Sequence, residues 1–215
     1  MIDAVVFDMD GVLLASEEIW DAVREKYVRE RGGLYDEEIQ RAMMGMSSRE
    51  WSRFLHDDAG VPESPEEINA EVVRRMLDAY REHLPLIPGA VDAVRRLAER
   101  FPLGLASSSN RELIDTALGL AGLSRFFPAT VSSEEVARGK PAPDVYLEAA
   151  RRLGIDVTLC AAVEDSHGGI RSANSAGMRV IAIPNPTYPP DDEALALADV
   201  TLGSLDELTV DVVSG

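Results

Sequence analysis

The spacing of apolar positions changes twice along the chain. Residues 2–7 are a short apolar, β-branched run that stops at Asp8-Met9-Asp10-Gly11, which predicts a buried strand ending in a turn. From 16 to 84 the spacing becomes helical, with stretches near 17–31, 36–44, 48–59 and 65–83 and no convincing strand. Their starts carry capping chemistry: Ser16 before Glu17 and Glu18, Ser47 three residues before Glu50, and Ser64 before Pro65 with Glu67 at the third position. After Pro88-Gly89 the pattern alternates: helix 90–100, strand 103–106, helix 110–121, strand 129–131, helix 143–153, strand 158–163, helix 168–176 and strand 179–183. A last strand near 199–202 precedes a short helix capped by Ser204 and Glu207. Short strands alternating with amphipathic helices predict right-handed βαβ units. The expected fold is α/β: a doubly wound parallel sheet formed by 1–15 and 85–215, interrupted by an all-helical insert, 16–84.

Composition narrows the possibilities. A chain of 215 residues, 46% hydrophobic and 27% charged, can bury a core and is neither disordered nor a membrane span. Its beginning is apolar, lacks a basic start and meets an acid at Asp3, so no signal peptide is expected and the cytoplasm is the expected location. The 38 acids against 21 bases, net −17, argue against nucleic acid or an acidic membrane as partner. Seven acids and no base fall in 180–215, but prolines and apolar residues interrupt them, as on a solvated face. The single cysteine, Cys160, excludes a disulfide framework and a Cys-rich zinc site. With no extended apolar stripe left over, a monomer is expected. Only Lys26 and Lys140 of the 21 bases are lysines, so each lysine calls for a reason.

In doubly wound folds ligands gather at the carboxyl ends of the strands. There the sequence places Asp8, Asp10 and Gly11 after the first strand, Ser107, Ser108, Ser109 and Asn110 after the second, and Glu164, Asp165 and Ser166 after the fourth. Lys140 lies on the loop entering helix 143–153. Four carboxylates at one rim repel unless a cation joins them, and oxygen-only ligands suit Mg²⁺ rather than zinc. Such parts suit phosphoryl transfer: a carboxylate nucleophile, a cation to neutralise charge, hydroxyl and N–H donors at a helix start, and a second aspartate for the proton. Each group also has a plainer reading. Asp-x-Asp-Gly is good turn chemistry, Asn110 could cap its helix, Lys140 could lie at the surface, and Glu164 and Asp165 could complement a helix start.

Taken in order, Asp8-Met9-Asp10-Gly11-Val12-Leu13, Ser107, Lys140-Pro141 and Glu164-Asp165-Ser166 with Gly169-Ile170 resemble the four motifs of the haloacid dehalogenase superfamily. The helical insert is similar to that family's small helical cap, as in phosphoglycolate phosphatases, sugar-phosphate phosphatases and β-phosphoglucomutases. The resemblance implies Asp8 as nucleophile, Asp10 as general acid/base, Ser107 binding the transferring phosphate and Lys140 neutralising it. It implies Mg²⁺ on the Asp8 carboxylate, the Asp10 backbone carbonyl and Asp165, with Glu164 direct or through water.

Asp10 sets the chain apart from the dehalogenating members, which lack a second aspartate, and from phosphonatases, which carry alanine there. Trp20 stands where the mutases have a histidine, while Ser16-Glu17-Glu18-Ile19-Trp20 matches sugar-phosphate hydrolases; Ala15 departs from the family's usual aspartate. The expected activity is Mg²⁺-dependent hydrolysis of a small phosphorylated metabolite through an aspartyl-phosphate. The alternatives are a sugar phosphomutase and a phospho-accepting signalling module. Gly11, Ser108, Ser109, Asn110, Arg49 and Trp20 are the candidates for substrate contact. Arg49 is a candidate for the cap arginine that holds the substrate's distal end in β-phosphoglucomutase-like members, against the plainer reading of a helix-surface charge; Trp20 could equally pack the cap core. Met43, Met44 and Met46 read as adaptable packing at the seam between core and cap, His167 as a helix-start residue, and His56 and His83 as surface.

Overall fold

The computed structural model describes residues 1–43 and 45–215. Six strands, β1 (Ala4–Phe7), β2 (Leu103–Ser107), β3 (Ala129–Ser132), β4 (Cys160–Glu164), β5 (Arg179–Ala182) and β6 (Val200–Thr201), form one sheet in the order β3-β2-β1-β4-β5-β6. Every pairing is parallel. The order reverses between β1 and β4, which makes their carboxyl ends the switch point where a ligand fits.

The strands are buried on both faces. In β1, Val5 and Phe7 join the cluster containing α5 (Ala90–Ala98) and α6 (Arg111–Leu120), whereas Ala4 and Val6 join that of α7 (Asp144–Leu153) and α8 (His167–Ala176). The period of two along a strand sends alternate side chains to opposite helical layers. Each fully buried aliphatic side chain contributes about 1.5–3 kcal/mol relative to an exposed one, so near-continuous apolar strands favour this doubly covered sheet. The edge strand β6 is two residues long, which leaves little exposed edge.

Between β1 and α5 lie four helices: α1 (Glu17–Glu30), α2 (Glu37–Ala42), α3 (Ser48–Asp57) and α4 (Pro65–Glu82). Ser47 with Glu50 and Ser64 with Glu67 form the expected capping boxes of α3 and α4. The chain leaves and returns side by side: Ala15 N–H donates to Pro85 O at 2.8 Å and Ile87 N–H to Leu13 O at 2.9 Å. Trp51, Leu55, Ile68, Val72 and Met76 of the insert belong to the same apolar cluster as α5 and α6. Short helices α9 (Asp192–Leu195) and α10 (Val210–Ser214) complete the chain. Among the described residues no helix is long and apolar enough to cross a membrane.

Several expected boundaries move for local reasons. β4 starts at Cys160 rather than 158 because Asp156 accepts the Thr158 N–H and holds 157–159 in a 3₁₀ turn. After Ser204 the chain makes a 3₁₀ turn, Leu205–Glu207; Ser204 makes no side-chain cap, and Glu207 accepts the Gly203 N–H. Met43 is buried and Met46 half-buried at the cavity wall; Met44 lies outside the described residues.

Candidate active site

The Asp8 N–H donates to Val163 O at 3.0 Å, carrying the β1–β4 pairing one residue past the strand. That register sets Asp8 beside Glu164 and Asp165, with one oxygen of each carboxylate within 4.8 Å of the others. Lys140 enters this group from the loop before α7: its Nζ donates to Asp8 Oδ1 at 2.7 Å and to Glu164 Oε1 at 2.6 Å. The Tyr146 hydroxyl on α7 donates to the same Glu164 oxygen at 2.6 Å, and its ring centre is 5.1 Å from the Lys140 ammonium. Glu164 Oε2 accepts the Asp165 and Ser166 N–H groups at 3.1 and 3.4 Å. Glu164 is thereby held by protein donors and anchors the lysine. Asp165 differs, since its Oδ1 is buried without a hydrogen-bond partner among the described residues.

Crowded, buried carboxylates resist ionisation. Burial pushes Asp8 up to about 8; Lys140 opposes this, while Glu164 and Asp10 add to it. Asp165 is pushed well above the usual carboxylate range by burial and then by Glu164 and Asp8. Burial disfavours the Lys140 charge, but Asp8 and Glu164 outweigh it and hold the ammonium above its ordinary value. An orphaned oxygen in an all-oxygen donor set fits a hard divalent cation such as Mg²⁺.

Gly11 makes this cradle possible. Its φ is +86°, and a Cβ there would lie 1.9 Å from Asp165 Oδ2. The residue expected to touch substrate is instead a backbone position that lets Asp165 approach. Gly11→Ala displaces that carboxylate and is expected to weaken divalent binding by about 10–100-fold, read as a smaller metal-induced rise in Tm; an unchanged rise would contradict this geometry.

Asp10 collects four hydroxyls: Ser16 at 2.5 Å, Ser109 at 2.7 Å, and Ser107 and Tyr80 at 3.4 Å each. Ser16, expected to cap α1, makes no bond to the helix amides and turns to Asp10. Ser107 is fully buried, accepting the Ser109 N–H at 3.0 Å, while Ser108 and Ser109 line the cavity.

A cavity of about 170 Å³ opens between this rim and the insert, lined by Asp8, Asp10, Lys140, Asp165 and, from α1, Trp20. The cavity wall also carries His167, the first residue of α8, whereas His56 and His83 are exposed on the insert. Two candidates stand apart. Arg49 is exposed and its Nη2 donates to the Glu134 carbonyl at 3.4 Å, outside the cavity wall. Asn110 neither caps α6 nor lines the cavity: its Nδ2 bridges Asn69 and Glu134 at 3.2 and 2.7 Å.

Sequence reasoning missed Tyr146, Tyr80, Arg24, Asn185 and Tyr188. Tyr146 reads as an ordinary apolar helix position, and nothing local sends Tyr80 to Asp10. Arg24 is four residues after Trp20 on one helix face, a spacing that could have drawn attention to it. Asn185 and Tyr188 follow β5, where the strand-end rule already points.

A doubly wound parallel sheet with a buried carboxylate–lysine pair at its switch point places the protein among α/β folds with a charged site at the strand ends. Residues 2–177 match the haloacid dehalogenase-like hydrolases, and the chain belongs to that family. It is 35% identical to hexitol phosphatase B of Escherichia coli (strain K12) over 214 residues, 96% of this chain and 94% of that protein. It is also 35% identical to a probable pseudouridine-5'-phosphatase of Drosophila melanogaster over 188 residues, 84% of this chain and 81% of that protein. Among solved structures, a mutant of CbbY from Rhodobacter sphaeroides in complex with xylulose-(1,5)bisphosphate superposes with a TM-score of 0.88 at 27% identity, covering 99% of each chain. The protein is an enzyme of the phosphoric monoester hydrolase type.

Proposed function

We propose that the enzyme is a Mg²⁺-dependent phosphatase of a small phosphorylated metabolite, sugar-phosphate or phosphoglycolate-like, working through a phosphorylated Asp8. The observation that carries this reading is the Asp8–Lys140 pair at 2.7 Å on the cavity wall, beside the orphaned Asp165 oxygen. Asp8, the Asp10 carbonyl and Asp165 would hold Mg²⁺, with Glu164 direct or through water. Bound there, the ion supplies charge neutralisation for the carboxylates and the phosphoryl oxygens.

The chain's own groups do the rest. The Asp8 carboxylate attacks phosphorus, and the ester oxygen departs with a proton from Asp10. Asp10 then takes a proton from water as the water oxygen attacks phospho-Asp8, releasing phosphate and restoring both aspartates. Lys140 neutralises charge as the phosphoryl group approaches, and Ser107 with the donors after β2 holds its oxygens. The hydroxyls of Ser16 and Ser109 keep the Asp10 carboxylate oriented. We read 16–84 as a cap over a core of 1–15 and 85–215, excluding bulk water from the reacting groups.

The test is phosphate release from a panel of phosphomonoesters with and without Mg²⁺. Metal-dependent release supports the reading. No release from any ester, or an isomerised product formed only with a bisphosphate primer, would replace hydrolysis with transfer to a second hydroxyl.

A pH dependence follows for the metal-free protein. Its folded state keeps a proton on Asp8 up to about 8, whereas the unfolded chain loses that proton near 3.8. The folded form therefore binds more protons between those values, and the site's contribution to stability falls as pH rises through that window. A cation competes with the proton, so the Mg²⁺-induced rise in Tm is expected to be larger at pH 8 than at pH 5.5. Equal rises at both values would count against a carboxylate metal site.

A further inference from the structure

Arg24 of α1 is half-buried in the wall of the cavity, on the side formed by the helical insert. Its guanidinium carbon lies 4.5 Å from the centre of the Trp20 ring and 4.9 Å from that of Trp51, and the two indoles meet edge to face at 6.0 Å. The rings attract the cation through their faces but accept no hydrogen bond in its plane. Among the described residues no carboxylate pairs with it, and its Nε is buried without a partner.

The acids nearest in sequence do not supply one. Asp21, one turn earlier, accepts the Tyr35 hydroxyl at 2.7 Å, and burial raises Glu17, two turns earlier, toward its neutral form. Lys140, the lysine of the same cavity, is already committed to Asp8 and Glu164. Burial lowers Arg24 to about 10, which still leaves it charged at neutral pH. The carboxylates of Asp10 and Asp21 act on it only at a distance and neither bonds it; a desolvated cation so placed is costly to maintain, and its vacant N–H edge matches two coplanar oxygens.

Building on the phosphatase reading, we propose that Arg24 receives a second anionic group of the substrate, a carboxylate or a further phosphate, remote from the phosphoryl group that is transferred. The role considered for Arg49 thus passes to a residue on another helix. A hydroxyl would satisfy the hydrogen bond and leave the guanidinium without a directly paired anion, so an anion gains more at this position.

Trp20 and Trp51 are the only tryptophans of the chain, so intrinsic fluorescence reports on this position directly. The experiment titrates Asp8→Asn protein, which should bind without turnover, in Mg²⁺ with sorbitol 6-phosphate, 6-phosphogluconate and fructose 1,6-bisphosphate. These differ in having a neutral, a carboxylate or a second phosphate terminus. At least one anionic ligand should bind about 10–100-fold tighter than sorbitol 6-phosphate, and Arg24→Gln should remove that gap. Which anion leads names the group. Sorbitol 6-phosphate binding as tightly as both anions, or a gap that survives Arg24→Gln, overturns the proposal. The ranking with Arg24 in place needs no substitution there, so a poorly folded variant leaves the test standing. Anion preference without hydrolysis of any ester by the wild type would sink the phosphatase reading and keep this one; hydrolysis without anion preference would do the reverse.

Discussion

Asp8→Asn is expected to remove phosphate release, by roughly 10⁴-fold or more, because an amide oxygen cannot replace a carboxylate as nucleophile and activated groups of this kind act as a unit. The protein should stay folded. Asp8 is one of three crowded acids, its ionisation is already resisted by burial, and Lys140 keeps Glu164 as a partner at 2.6 Å. Phosphate release and a thermal melt on the same sample separate the two effects: activity falls to background while Tm is held or raised. Release at near wild-type rate would remove Asp8 from the chemistry, and a collapsed Tm would show that the carboxylate is structural.

Lys140→Met should damage both properties. The lysine is 7% exposed and bonds two carboxylates that have no other cation among the described residues. Breaking a buried pair by removing one partner costs about 3–5 kcal/mol, and at this chain length each kcal/mol moves Tm by about 2–4 °C. A drop of roughly 6–20 °C is expected on those figures. It should be larger at pH 8 than at pH 5.5, where protonation relieves Asp8, and partly restored by Mg²⁺. Phosphate release should fall about 10²–10³-fold, the usual loss when one preorganised electrostatic group is removed. A variant as stable as wild type at pH 8 would contradict the buried pairing.

The fold was legible because its signals are local. Alternating short apolar runs and amphipathic helices imply a parallel sheet, and the strand-end rule then points to Asp8, Asp10, Lys140, Glu164 and Asp165 from the sequence alone. The direction in which a hydroxyl turns was not legible. Ser16 stands before two glutamates, the local signature of a cap, yet Asp10 at 2.5 Å outcompetes the helix amides. Asn110 has the same ambiguity and is drawn off by Asn69 and Glu134, which are far away in sequence. Arg49 and Arg24 are both helix arginines, and only the packing of α1 against α3 decides that Arg24 meets the tryptophans and the cavity. Gly11 carried a turn signal, but the need for that glycine comes from Asp165, more than 150 residues later.

The sheet order has a consequence for how the protein is made. β1 leaves the ribosome before the other strands of its sheet and is one of the two innermost, and its neighbours begin only at Leu103 and Cys160. A growing chain therefore exposes an apolar strand and Asp8 long before either flank exists, with the helical insert completed in the interval. Any product that stops short of β4 contains Asp8, Asp10, Ser107 and Lys140 but no Glu164 to fix the lysine and no Asp165 to complete the carboxylate cluster. On the reading proposed above, catalytic competence would await the fourth strand, which brings Glu164 and Asp165 beside the first.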